Sequence, residues 1–279
     1  MKTLQLIPAV RNIRFLSLLI ITVLFSSINL QLKAQPDSGK WQAIFDKHDA
    51  TGTFVLYSSK ADSFFIYNPE RANTRFLPAS TFKIPNSLIG FETGVISDLD
   101  EVFIWNGTDY GYQAWNRDLS LRDAFRLSAV WVYQEIARRV GRESMEYWLQ
   151  EINYGNMLTG PHIDKFWLEG DIAISPVEQI GILRKLQAGQ LPFKTENQKL
   201  VKEIMLIKQT DTHHLYAKTG WAARIKNSIG WYVGFAETPD DIWFFALNID
   251  MRKPSDQDAR IAVSMEILEK SGIYPETEN

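Results

Sequence analysis

The chain has 279 residues, 45% hydrophobic and 13% aromatic with nine tryptophans, which is enough apolar material for one large core or two intimately packed ones. Its formal charge is −3 and no run of five or more Lys and Arg occurs, so nucleic-acid binding has no electrostatic basis. It contains no cysteine, which excludes disulfides, thiolate metal sites and a lipid-modified N-terminal cysteine.

At the N-terminus, Lys2, Arg11 and Arg14 precede an apolar run from Phe15 to Phe25, followed by Ser26-Ser27 and Leu32-Lys33-Ala34. That order of basic, apolar and small-ended segments reads as a secretory signal peptide over residues 1–34, cut near Ala34. The apolar run falls well short of the ~20 residues a membrane-spanning helix needs, so no stable membrane insertion is expected after cleavage. Thr53–Ser58 and Ser63–Tyr67, separated by a polar turn, predict a β-hairpin.

Ser80-Thr81-Phe82-Lys83 then places a hydroxyl and an amine three residues apart. On a helix these positions share a face, so Lys83 can reach the Ser80 hydroxyl, and a neutral amine can take a proton from a weak serine nucleophile. The plain alternative is a surface Ser and Lys on a helix. Pro85 has no backbone donor, so the first turn after Ser80 is expected to be irregular.

From Thr81 to about Lys208 the pattern is helical. Asp123 to Val140 carries apolar residues at helical spacing up to Gly141, with Ser128-Ala129-Val130 inside the run. Pro176–Leu186 predicts a helix with Ser175 as N-cap and Pro176 at its first position, closed near Gly189. Strands return at Leu215–Thr219, Ser228–Phe235 and Ile242–Ile249. The last two are nearly continuous apolar runs, as expected of central strands covered on both faces. Ala259–Ser271 closes the chain as a helix ending at Gly272.

Strands at both ends and helices between them predict a sheet lobe of residues 35–75 and 209–279 and a helical lobe of residues 76–208, with a ligand cleft between. Lys218-Thr219-Gly220 ends one predicted strand and offers a charge, a hydroxyl and close backbone approach. Ser-x-x-Lys together with Lys-Thr-Gly is the pairing of penicillin-recognising serine enzymes. His48, His162, His213 and His214 lack metal-ligand spacing, so no metal site is expected. Walker A, Gly-x-Gly-x-x-Gly, Gly-x-Ser-x-Gly and His-Glu-x-x-His segments are absent from the sequence.

Ser80-Thr81-Phe82-Lys83, Ser128-Ala129-Val130, Tyr154-Gly155-Asn156, Phe166-Trp167-Leu168 and Lys218-Thr219-Gly220-Trp221 follow one another in an order that resembles class D (oxacillinase-type) serine β-lactamases. The resemblance spans essentially the whole mature sequence. It implies an α/β fold of the α+β type, β-lactamase/transpeptidase-like, with an antiparallel sheet flanked by helices plus an all-helical lobe. It also implies hydrolysis of penicillin-type β-lactams, and so antibiotic resistance, through a Ser80 acyl-enzyme in the periplasm.

Under that resemblance Lys83 is the general base for acylation and deacylation, carried as N6-carboxylysine. Carbon dioxide or bicarbonate is then needed, and no other cofactor. An ordinary lysine, with a pKa of about 10.4, is protonated at neutral pH. Burial among Phe82, Val130, Trp167 and Leu168 would disfavour the cation, and only the neutral amine adds to carbon dioxide. Val130 and Trp167 would support the carbamate, the latter through its indole N–H. Ser128 would relay a proton toward the lactam nitrogen beside Lys218.

The backbone N–H groups of Ser80 and Trp221 would form the oxyanion hole. Arg260 would bind the substrate carboxylate and Thr219 would add a hydroxyl contact, with Trp115, Leu168 and Trp221 as apolar walls. Arg224 would pair with Glu169 within about 6 Å, as in class D enzymes that accept carbapenems. No nucleic-acid partner is expected, and a homodimer is left open. Two alternatives stand beside this reading: a non-hydrolytic β-lactam sensor, and a penicillin-binding D,D-peptidase.

Overall fold

A computed structural model describes residues 37–275; the predicted signal peptide, residues 1–34, lies outside the described residues. In chain order its elements are α1 (Trp41–Lys47), β1 (Gly52–Ser58), β2 (Ser63–Tyr67), α2 (Pro69–Asn73), α3 (Lys83–Glu92), β3 (Val102–Phe103) and β4 (Leu119–Ser120). Then come α4 (Leu121–Arg126), α5 (Val130–Val140), α6 (Arg142–Glu151), α7 (Phe166–Glu169), α8 (Pro176–Gln187) and α9 (Thr195–Met205). The chain closes with β5 (Leu206–Gln209), β6 (His214–Ala222), β7 (Ile229–Glu237), β8 (Ile242–Asp250) and α10 (Asp256–Lys270).

The main sheet runs β2-β1-β8-β7-β6-β5, every neighbour antiparallel. Its first hairpin therefore pairs with the last strand, Val55 opposite Ala246. Alternation along the central strands explains why they read as continuous apolar runs. Trp231, Val233 and Phe235 of β7 and Phe244 and Ala246 of β8 belong to a core shared with α8 and the helical segments. Tyr232 and Ala236 of β7, with Phe245, Leu247 and Ile249 of β8, belong to a second core with α1 and α10. Period-2 side chains thus meet helices on both faces. Each such large side chain contributes about 1.5–3 kcal/mol on full burial.

Local signals account for several boundaries. Ser175 and Glu178 form a reciprocal capping box at the start of α8, with Pro176 at its first position. Gly155 sits at φ 54, and a Cβ there would come 2.0 Å from Ala173 O, so only glycine permits this crossing. Asn156 then donates to Asp171 O at 2.7 Å and accepts from Ala173 N at 2.9 Å. Tyr154-Gly155-Asn156 thereby closes the loop that carries α7.

The predicted all-helical lobe also carries a small antiparallel pair, β3 with β4, too short at two residues each to show a strand period. Two further sequence expectations need correction. The run from Asp123 to Val140 is not one helix: α4 stops at Arg126, α5 begins at Val130, and Ser128 sits between them at φ 55. A serine held in the left-handed region carries no Gly or Pro to announce the break. The second concerns β5, which joins the sheet from within the segment assigned to helices. Leu206–Gln209 is exposed throughout as an edge strand, so it lacks the apolar alternation that marks a strand in sequence. Among the described residues no helix is long and apolar enough to cross a membrane, and no cluster of three or more His, Asp or Glu is placed to hold a metal ion.

Candidate active site

Ser80 lies in a 3-10 turn, Ala79–Phe82, that runs directly into α3. In such a turn side chains at i and i+3 eclipse, closer than in an α-helix. Lys83 Nζ accordingly donates to Ser80 Oγ at 3.2 Å. The irregular first turn expected from Pro85 is this 3-10 segment. Ala79 sits at φ 49, a left-handed conformation that costs roughly 1–3 kcal/mol for a residue with a side chain. The surroundings enforce it: Thr81 Oγ1 donates to Pro78 O at 2.8 Å and accepts from Gln179 Nε2 at 2.9 Å, while Trp231 Nε1 donates to Leu77 O at 2.9 Å.

Lys83 is buried, 1% exposed. Burial pushes its amine well below the usual lysine range, and the nearby Lys218 adds to the shift. Its surroundings are aromatic. Phe82 stacks on Trp167 at 5.5 Å between ring centroids and meets Tyr154 and Phe166 edge-on. The Tyr133 ring lies 4.8 Å from Lys83 Nζ, with its hydroxyl 2.9 Å from Ser87 Oγ. Sequence reading missed Tyr133, although it stands one turn beyond Val130 on the same helix face. Trp167 is fully buried, and its indole N–H has no acceptor. Trp167 stacks on Phe82, the residue before Lys83, and its orphaned donor has the chemistry to meet an oxygen-bearing group on that lysine.

On the other side of the cleft, Lys218 Nζ donates to Ser128 Oγ at 2.5 Å and to Thr219 O at 3.1 Å. Burial, helped by the Arg260 charge, pushes Lys218 down to about 7. Arg260 is itself lowered to about 10, chiefly by burial. It is tethered by Nη1 to Gly220 O at 2.6 Å and by Nε to Gln257 O at 3.0 Å. At Gly220, β6 comes so near the nucleophile turn that a Cβ would lie 3.0 Å from Pro78 O. β6 thus meets the nucleophile turn one residue before Trp221.

A cleft of about 390 Å³ opens at this site. Ser80, Ser128, Thr219 and Arg260 line it, and Trp115, Val130, Leu168 and Trp221 form much of its apolar wall. Trp167 and Lys83 are buried and do not line the cleft. Arg224 Nη1 stands 3.6 Å from Glu169 Oε1, inside the expected distance. Both side chains are substantially exposed, so the pair adds little stability. Tyr110, Tyr112, Leu127 and Gln257 also line the cleft and were not singled out from sequence. Three aromatics in the short stretch Tyr110–Trp115 were the signal available.

A buried Ser-x-x-Lys pair facing a hydrogen-bonded Ser and Lys across a cleft, beside a Lys-Thr-Gly strand, defines an active-site-serine protein of the penicillin-recognising fold. Residues 36–271 match the penicillin binding protein transpeptidase domain. β-Lactamase OXA-48 of Klebsiella pneumoniae is 42% identical over 243 residues, 87% of this chain and 92% of that protein. The crystal structure of the class D β-lactamase YbXI from Nostoc is 41% identical and superposes with a TM-score of 0.82 over 84% of this chain and 99% of that one. The regulatory protein BlaR1 of Bacillus licheniformis is 35% identical over 237 residues, which is 84% of this chain but 39% of that protein. The chain belongs to the class D β-lactamases.

Proposed function

We propose that this protein hydrolyses penicillin-type β-lactams through an ester on Ser80, with Lys83 carboxylated by carbon dioxide. The observation that carries the proposal is the buried Lys83 amine, lowered by desolvation and hydrogen-bonded to Ser80 Oγ. In forming the carbamate, the Nζ lone pair bonds to the carbon of carbon dioxide and an N–H proton leaves to solvent. The unpartnered Trp167 Nε1 would supply a donor for it, and Val130 and Leu168, which line the cleft, would limit its access to water. When present, the carbamate offers an oxygen base for the Ser80 proton and later for that of the hydrolytic water.

The chain's own groups supply the rest. Ser80 Oγ attacks the lactam carbonyl, and the Ser80 and Trp221 N–H groups receive the developing negative charge. As the C–N bond breaks, Ser128 Oγ passes its proton to the lactam nitrogen and is resupplied from Lys218 Nζ. Arg260, itself only 9% exposed and assisted by Thr219, holds the substrate carboxylate in a guanidinium–carboxylate pair.

Two assays test this reading. Purified protein mixed with a chromogenic cephalosporin should turn over repeatedly, faster with added bicarbonate, and mass spectrometry should find only a transient Ser80 adduct. A single stoichiometric burst followed by a lasting adduct would instead assign a sensor, the activity class that the 35% match to a regulatory protein raises, or a D,D-peptidase. The proposal also has the chain exported and cut near Ala34 to work in the periplasm. Protein released by osmotic shock should have the mass of the chain without residues 1–34, and recovery of the uncut chain with the membrane would refute export in soluble form.

A further inference from the structure

Trp131, in the first turn of α5, is buried at 7% exposure and does not line the cleft. Its indole N–H donates to Trp115 O at 3.0 Å, while the Trp115 indole N–H donates to Leu127 O at 3.0 Å. The Trp131 ring also stacks on Tyr110, with centroids 6.0 Å apart and planes 8° from parallel. Tyr112 in turn packs on Trp115 at 4.7 Å. Tyr110, Tyr112, Trp115 and Leu127 all line the cleft, yet the stretch between Tyr110 and Trp115 is largely exposed and has only a short 3-10 turn of its own. Such a segment opens easily unless tied to a more stable element.

We propose that Trp131 is a positioning residue for the substrate side chain. Its indole latches the aromatic wall to α5, and the Trp115–Leu127 bond ties that wall to the turn presenting Ser128. The proposal rests on the β-lactam reading for its choice of substrate. Its physical basis is the paired hydrogen bonds, which span the same short region in opposite directions. Removing the Trp131 donor leaves the Trp115 carbonyl without this partner while sparing every group that touches the ligand.

The test compares Trp131→Phe, which keeps a ring against Tyr110 but loses the donor, with Trp131→Leu, which loses both. Substrates are oxacillin, which has a bulky aromatic side chain, and 6-aminopenicillanic acid, which has no acyl side chain. For Trp131→Phe we expect the oxacillin KM to rise about 3- to 10-fold, the effect of one net hydrogen bond, with kcat/KM for 6-aminopenicillanic acid within about 2-fold of wild type. Amide hydrogen exchange across residues 108–116 should quicken in the same variant by more than the variant's global loss of stability accounts for. Exchange in the core strands of the sheet should follow only that global change. Trp131→Leu should extend both effects; if it does not fold, Trp131→Phe carries the test alone. Unchanged exchange and KM, or equal losses on both substrates, would overturn the latch. Hydrogen exchange requires no turnover, so it reads the latch even if the hydrolytic reading fails.

Discussion

Lys83→Ala should still bind β-lactams in the cleft but should lose turnover by about 10²–10⁴, the usual contribution of a positioned general base. The geometry leaves no ready substitute. Among the described residues Lys218 is the other lowered amine, but it is hydrogen-bonded to Ser128 rather than to Ser80. Glu169 is paired with Arg224 at 3.6 Å and does not line the cleft. Steady-state kinetics with mass spectrometry of the acylated protein measures the effect. Full activity in the variant would exclude Lys83 as the base.

The same residue gives a stability prediction with a definite sign. The folded pKa of Lys83 lies well below the 10.5 of an ordinary lysine. Between those values the unfolded chain binds a proton that the folded protein does not, so stability rises with pH across that window and falls as pH drops. Lys218 acts with the same sign between about 7 and 10.5. Lys83→Met, similar in shape and without charge, removes the Lys83 share. In carbon dioxide-free buffer its urea midpoint should therefore climb less than that of wild type between about pH 7 and about pH 10. Parallel curves would mean that Lys83 is not a desolvated amine.

How much of this was legible in the chain depends on which residues carried a local signal. The hairpin of β1 and β2, the doubly covered β7 and β8, and α8 with its Ser175–Glu178 cap announced themselves through period, apolar continuity and capping chemistry. Ser80 and Lys83 were recognisable because their contact is local, three positions apart. The hidden features are those made by long-range or backbone partners. Ser128 at φ 55 breaks a helical run with no breaker residue. Trp131 and Trp115 are bonded to main-chain carbonyls, which have no identity in sequence. Tyr133 reaches Lys83 only because α5 packs against α3. Edge strand β5, exposed along its length, had no buried face to reveal it.

Trp167→Phe should lower activity at ambient carbon dioxide by roughly 10- to 100-fold, the effect of losing a hydrogen bond to a charged group. The reasoning starts from a cost. Trp167 is 0% exposed and its Nε1 donor has no acceptor, a penalty of about 1–3 kcal/mol if nothing ever fills the position. A core tryptophan with no further role would gain from losing that donor, offsetting part of the packing lost with the smaller ring. A tryptophan that donates to a carbamate on Lys83 behaves oppositely once carbon dioxide is supplied. Bicarbonate should then raise the melting temperature of wild type, since a group that binds only the folded state stabilises it, and should raise that of Trp167→Phe much less. High bicarbonate should also restore part of the variant's turnover, because the weakened step is carboxylation rather than attack by Ser80. Wild-type activity with unchanged bicarbonate dependence would reduce Trp167 to packing. The combined loss of activity and of bicarbonate-linked stability would tie the orphaned indole N–H to the chemistry of Lys83.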